Sequence, residues 1–398
     1  MSRRRKYWRW ALAAVVVAAA GALGAGYWWA RPLTRSPSTG LAVNRALGST
    51  GSAEGYAQVL HPRPFTFPAD YGPHPAYRNE WWYFTGNLAT PGGRRFGYEL
   101  TVFRIALAPK PPTSPSGWAT NQLYMAHFAL TDVAGRHFHD TQRLARGALG
   151  LAGAQASPFR VWADNWSVRS AGPGAAFPWT LHAKADGWSV HLKLKALTPV
   201  VAQGDHGFSR KSAGRGHASY YYSIPRLATN GHVTVHGQTF AVSGLSWLDR
   251  EWSSGALAPD QTGWDWFALQ FDDGTDLMFY RLRDRGGRTD PHSAGSLIGP
   301  DGSRLALAAK DVALKPLRWW QSGDGARYPV AWRLRVPAQH CAVKVEPLLD
   351  DQELTTFVRY WEGAVSVTGR CQGKPVSGHG YLELTGYASS KGGAGVQR

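Results

Sequence analysis

Asp249, Arg250, Glu251 and Trp252 stand together in one short run. A carboxyl kept protonated by apolar surroundings donates a proton, and a neighbouring carboxylate accepts one. Asp249 and Glu251 are the candidate pair for such work. The same run reads equally as an ion-pair cluster that fixes two halves of a molecule. Trp82, Tyr222, Trp247, Arg250, Trp252, Trp264 and Trp266 form the candidate ligand-binding set. Aromatic faces line apolar pockets and stabilise cationic carbon, although rings also simply fill small barrels. Glu80 and Arg104 are expected to pair structurally, and Arg281 occupies the equivalent place later in the chain. Glu362 and Glu383 lie in aromatic-rich strands, where a buried acid has a raised pKa. Bonding to a turn or to an arginine is the plainer reading for both.

Other chemistries lack their parts. His137 with His139, and His232 with His236, have two-residue spacing, but no third ligand stands at a telling distance. No His-Glu-x-x-His helix exists, so no metal is expected. Two cysteines cannot build a zinc finger. No Gly-x-Ser-x-Gly elbow appears, and no cofactor motif either. The basic loop 203–219, with Arg210, Lys211 and Arg215, flanks the pocket or stays free. It lacks the aromatic interleaving of a nucleic-acid site, so no nucleic acid is expected as partner.

The elements that must position these residues are strands. The chain has 398 residues, 43% of them hydrophobic and only 18% charged, which describes a globular body. Its 46 Gly, 25 Pro and 50 aromatics favour short strands and turns. Thr180–Lys184 and Ser189–Lys195 alternate apolar and polar residues, the half-buried strand pattern. An internal repeat organises the body. Asn79-Glu-Trp-Trp-Tyr-Phe-Thr-Gly86 and Glu99–Arg104 open a first half; Gly263-Trp-Asp-Trp-Phe-Ala268 and Asp276–Arg281 open a second. Gly231–Gly237 with Val242–Asp249 likewise matches Gly363–Gly369 with Val376–Glu383. The expected architecture is all-β, with two tandem antiparallel barrel or sandwich domains at 59–252 and 253–388. A flexible linker at 32–58 precedes them and a loose tail at 389–398 follows.

The net charge of +17 is uneven: Arg3, Arg4, Arg5, Lys6, Arg9 and Arg31 fall in the first 31 residues without an acid. The nearly uncharged run from Trp10 to Ala30 is long enough to span a bilayer. Residues 1–31 therefore read as an inner-membrane anchor or as a cleaved export signal. Either places the body in the periplasm. There Cys341 and Cys371, on segments expected to be neighbours, can form a disulfide or remain two buried thiols.

Asn79–Gly86, Gly263–Gly274, Tyr360-Trp-Glu-Gly-Ala-Val365 and Gly380–Tyr387 together resemble the AttH-like proteins, a lipocalin-like family that includes carotenoid 1,2-hydratases. The resemblance covers about residues 60–387. It implies two lipocalin-like β-domains in tandem. It also implies either binding of a lipid or isoprenoid, or acid-catalysed hydration, cyclisation or hydrolysis of one. An ABC exporter permease is a further partner it suggests. The hydratases carry an Asp-His-Asn-Trp-Gly-like segment; Asp249 and Trp252 match it, and Arg250 stands at the His position. They also carry a Tyr followed two residues later by Asp; Tyr280 matches, so the resemblance implies it as a third catalytic candidate, and Leu282 stands where the Asp would be.

Overall fold

The computed structural model describes residues 53–388 apart from 173, 176 and 256. The expected anchor at 1–31, most of the linker and the tail lie outside these residues. Among the described residues no helix is long and apolar enough to cross a membrane. Helical structure there is confined to three single 3-10 turns, at Ala69–Tyr71, Ala309–Asp311 and Pro337–Gln339.

The first sheet contains β1 (Asn79–Ala89), β2 (Arg95–Ala106), β3 (Gln122–Asp132), β4 (His137–Arg146), β5 (Ala152–Ala156), β6 (Phe159–Ala163) and β7 (Trp166–Ser170). It continues with β8 (Trp179–Ala185), β9 (Trp188–Ala196), β10 (Val201–Ala202), β11 (Phe208–Arg210), β12 (Ala218–Val235) and β13 (Gln238–Ser253). The second contains β14 (Gln261–Phe271), β15 (Asp276–Asp284), β16 (Ala294–Ile298), β17 (Arg304–Ala308) and β18 (Ala313–Gln321). It is completed by β19 (Arg327–Val336), β20 (Cys341–Pro347), β21 (Glu353–Thr355), β22 (Arg359–Cys371) and β23 (Lys374–Thr385).

The strand orders are β4-β3-β2-β1-β13-β12-β9-β8-β7-β6-β5 and β17-β16-β15-β14-β23-β22-β20-β19-β18. Both sheets open with a four-strand meander and pair their first strand with their last. The repeat in the sequence is thus a repeat of topology. Each sheet curls around its own apolar core, the first nearly closed, in the lipocalin-like manner.

Strand position decides the pattern of burial. β9 sits over one core only and alternates buried with wetter residues from Trp188 to Lys195. β1, β2 and β13 are mostly buried on both faces. Their even-numbered residues, such as Trp82, Phe84, Leu100 and Leu248, fill the first barrel. Their odd-numbered residues face the second sheet. Gly97 of β2 shows how close the sheets come: a Cβ there would stand 2.4 Å from that of Ala364 in β22. Hydrogen bonds cross the same seam, including Asn87 Nδ2 to the Gly380 carbonyl at 2.9 Å and Thr131 Oγ1 to Gln352 Oε1 at 2.7 Å. The backbone passes between the sheets through residues 254–260. In the second sheet, Cys341 and Cys371 face each other across β20 and β22 and are joined by a disulfide.

Candidate active site

The cavity lies between the outer faces of the two sheets, not inside either barrel. Strand register builds its walls. One row of side chains on the first sheet runs His127–Thr101–Tyr83–Asp249–Ser223 over β3, β2, β1, β13 and β12. The next row runs Met125–Phe103–Trp81–Glu251–Tyr221. Against them the second sheet sets the row Tyr280–Trp266–Glu383–Glu362 over β15, β14, β23 and β22. Trp264 and Leu282 follow on the same face. The enclosed space is about 90 Å³, well below the several hundred Å³ of a site that buries a whole drug-sized ligand.

Of the catalytic candidates, Asp249, Glu251 and Tyr280 all line this cavity. Asp249 is buried, and its carboxylate accepts hydrogen bonds from Tyr221 Oη, from Ser223 Oγ at 2.5 Å and from Trp247 Nε1 at 2.7 Å. Burial pushes its pKa up to about 7, although these three donors favour the charged form. Glu383 enters from the opposite sheet. It keeps some surface open to the cavity while protein surrounds it. Burial, reinforced by the charges of Asp249 and Glu251, pushes it up to about 8. Neither carboxyl has a cation within ion-pair distance among the described residues.

Glu251 is placed differently. Lys211 Nζ stands 3.1 Å from its Oε1, and the same ammonium lies 4.0 Å from the centre of the Tyr280 ring. Burial opposes the charge on Lys211, but Glu251, Tyr280 and Asp249 together more than offset it and raise the ammonium pKa. Tyr280 Oη meets Ser209 Oγ at 2.9 Å. The basic loop 203–219 thus contributes a wall of the cavity through Lys211 and Ser219.

Behind Glu383 lies a deeper acidic layer. Glu362 is its cross-strand neighbour and accepts a hydrogen bond from Tyr83 Oη at 2.5 Å. Glu99 of β2 has no hydrogen-bond partner on either oxygen. Burial holds both carboxyls well above their ordinary pKa, and the Glu383 charge adds to it.

The ligand-binding candidates divide by parity. Trp264 and Trp266 line the cavity. Trp247 sits behind its wall, holding Asp249 and meeting Trp266 edge-on. Trp82, Tyr222, Arg250 and Trp252 are on the other face of the first sheet and do not reach the cavity. Tyr222 packs edge-on against Phe65 and Phe67. Trp252 stacks on His74 with ring centres 3.8 Å apart. The Arg250 guanidinium lies 3.8 Å from the centre of the Trp82 ring and pairs with Glu80. Glu80 also pairs with Arg104, and Arg281 pairs with Asp265. The group at His in the hydratase segment, here Arg250, therefore belongs to a closed ion cluster and not to the cavity.

Several wall residues escaped sequence reasoning, among them Trp81, Tyr83, His127 and Tyr360. The first two stand beside residues that were singled out, one position off. His127 is the single ionisable side chain inside the apolar run Met125–Leu130, a signal that isolated inspection passes over as a core histidine.

The chemistry on offer is proton transfer inside an aromatic box. Among the described residues no group of three or more His, Cys, Asp or Glu is arranged to hold a metal. Comparison with known proteins agrees with the architecture. A crystal structure of a Nitrosomonas europaea protein assigned as AttH is 35% identical, spanning 83% of this chain and 100% of its own, with a TM-score of 0.74. Kievitone hydratase from Nectria haematococca shares the fold at 19% identity, spanning 85% of this chain and 98% of its own, with a TM-score of 0.63. No curated protein sequence matches the chain. The AttH-like family profile matches residues 58–387, and the chain belongs to that family.

Proposed function

We propose that the protein is an extracytoplasmic enzyme that adds water to, or removes it from, a carbon–carbon double bond of an apolar ligand. The observation that carries this is the pair Asp249 and Glu383, brought from two sheets into one aromatic cavity with no cation on either. Glu383 as the neutral acid donates its proton to one alkene carbon, and the π electrons form the new C–H bond. The other carbon becomes a cation faced by Trp81, Trp264 and Trp266, whose ring quadrupoles stabilise it. Water attacks that carbon and loses a proton to the Asp249 carboxylate, oriented by Tyr221, Ser223 and Trp247. The proton then returns from Asp249 to Glu383, so the sum is one water added. Elimination is the same path reversed.

A passive carrier needs the aromatic wall but gains nothing from two acids held there without a cation, whose desolvation costs stability. The hydratase named above shows that this fold accommodates such an enzyme. The basic-then-apolar N-terminus and the Cys341–Cys371 disulfide support an oxidising, extracytoplasmic location.

The test is incubation of the full chain with acyclic isoprenoids and a total lipid extract in ¹⁸O-labelled water, read by mass spectrometry. Label should enter a product carbon–oxygen bond, and Glu383→Gln should slow this at least about 100-fold while the protein stays folded. No incorporation by the wild type, or full activity in Glu383→Gln, contradicts the proposal.

A further inference from the structure

His127 is completely buried on the cavity side of β3. Its Nδ1 is 2.7 Å from Tyr360 Oη, across the seam between the sheets. Its Nε2 has no partner at all. Burial pushes the imidazole down to about 3 and holds the Tyr360 phenol well above its ordinary pKa, so both groups are uncharged. Their surroundings are apolar: Phe103, Met125 and Val358 share this end of the cavity. Whichever tautomer His127 adopts, the pair leaves at least one hydrogen-bonding group unused. When the Tyr360 hydroxyl donates to Nδ1, a free Nε2–H remains. When Nδ1–H donates instead, a free Nε2 lone pair and the phenol hydrogen remain. A buried polar atom left unpaired costs the fold stability. An entering hydroxyl or carbonyl removes that cost.

Position adds a length. His127 and Asp249 lie in the same side-chain row, three strand spacings apart, which is about 14 Å. A cavity of about 90 Å³ stretched over that distance is a slender channel rather than a round pocket. We infer that His127 and Tyr360 form a recognition subsite for one uncharged polar group, a hydroxyl or carbonyl, at the end of a slender unsaturated chain whose reactive double bond reaches Asp249 and Glu383. This deepens the hydration reading and rests on it for the reactive end, while the recognition itself is a binding property. The neutral imidazole offers a carboxylate or phosphate no countercharge.

The experiment compares equilibrium binding of farnesol, its deoxygenated hydrocarbon analogue and farnesoic acid to the full chain, by dialysis and mass spectrometry. The wild type should bind farnesol about ten-fold or more tighter than the hydrocarbon, and farnesoic acid no tighter than the hydrocarbon. His127→Leu should erase the alcohol preference and leave hydrocarbon affinity intact, which also reports that the variant is folded. Tyr360→Phe, keeping the ring, should reduce the preference; His127→Gln, keeping an amide, should restore part of it. Equal binding of alcohol and hydrocarbon by the wild type, no binding of either, or an alcohol preference that survives in His127→Leu overturns the inference. The binding assay involves no turnover, so loss of the preference with labelled water still incorporated sinks only the subsite. Preference without incorporation sinks only the reaction.

Discussion

Two clusters of buried charge share the strands β1 and β13, on opposite faces, and they are built on opposite principles. On the barrel side, Glu80 is fully buried between Arg104 and Arg250, with the His74 backbone N–H donating at 3.0 Å. Burial alone would raise its pKa, but the two arginines hold it well below the carboxylate range. Arg104 spends its remaining donors on the carbonyls of His74 and Tyr77 and on Gln122. One position along each strand, on the cavity side, Asp249 stands without a cation, as do Glu383 and Glu362 across the seam. The first arrangement is what a chain does with buried charge when it only needs to be stable. The second keeps protons available at a cost in stability, which is the arrangement the proposed acid–base site calls for.

That contrast can be broken most sharply at Arg250. Arg250→Met removes one cation from Glu80 and the guanidinium from between Trp82 and Trp252. It should destabilise the protein by about 3–5 kcal/mol, the usual cost of orphaning a buried charge, as measured by urea unfolding. A loss under about 1 kcal/mol would show that the cluster is no stabilising unit.

A smaller effect sharpens the comparison through pH. Asp249 and Glu383 have folded-state pKa values near 7 and 8, above the unfolded carboxyl values near 4. Groups shifted upward favour the fold fully below about pH 4, and that contribution is lost as pH rises towards 8. Glu80 is shifted downward, so its contribution is present above about pH 4 and is lost in stronger acid. Stability should therefore peak in mildly acidic solution and decline towards pH 8. Glu383→Gln should flatten the alkaline decline and leave the acid limb unchanged. A decline of the same slope in Glu383→Gln would mean that this carboxyl is already ionised in mild acid.

The same two faces explain what was legible beforehand. β8 and β9 cover one core and leave the other side wet, so their alternation announced both strand and orientation. The repeat was legible because paired strands kept aromatic and turn residues at matching places. Asp249 and Glu251 share a face simply because they are two residues apart. Which parity of β1, β12 and β13 faced the cavity was not legible. These strands are buried on both sides, so Trp81 and Trp82, or Tyr221 and Tyr222, look alike in sequence and differ only in register. The cavity's second wall was hidden for a further reason: Glu383 and Glu362 reach it only when two sheets pack face to face. His127 meets Tyr360 by the same packing. The expectations about location and anchoring rest on residues 1–31, which lie outside the described residues.

The central claim is that the cavity holds carboxyl groups still protonated near neutral pH. Infrared difference spectroscopy of the protein titrated from pH 5 to pH 9.5 tests it most directly. The C=O stretch of protonated carboxyls should persist at pH 6.5 and fade through about pH 7 and about pH 8. Asp249→Asn should reduce the earlier component, to which the buried Asp276 also contributes, and Glu383→Gln should remove the later one. A wild-type spectrum with no protonated carboxyl left at pH 6.5 would contradict the account.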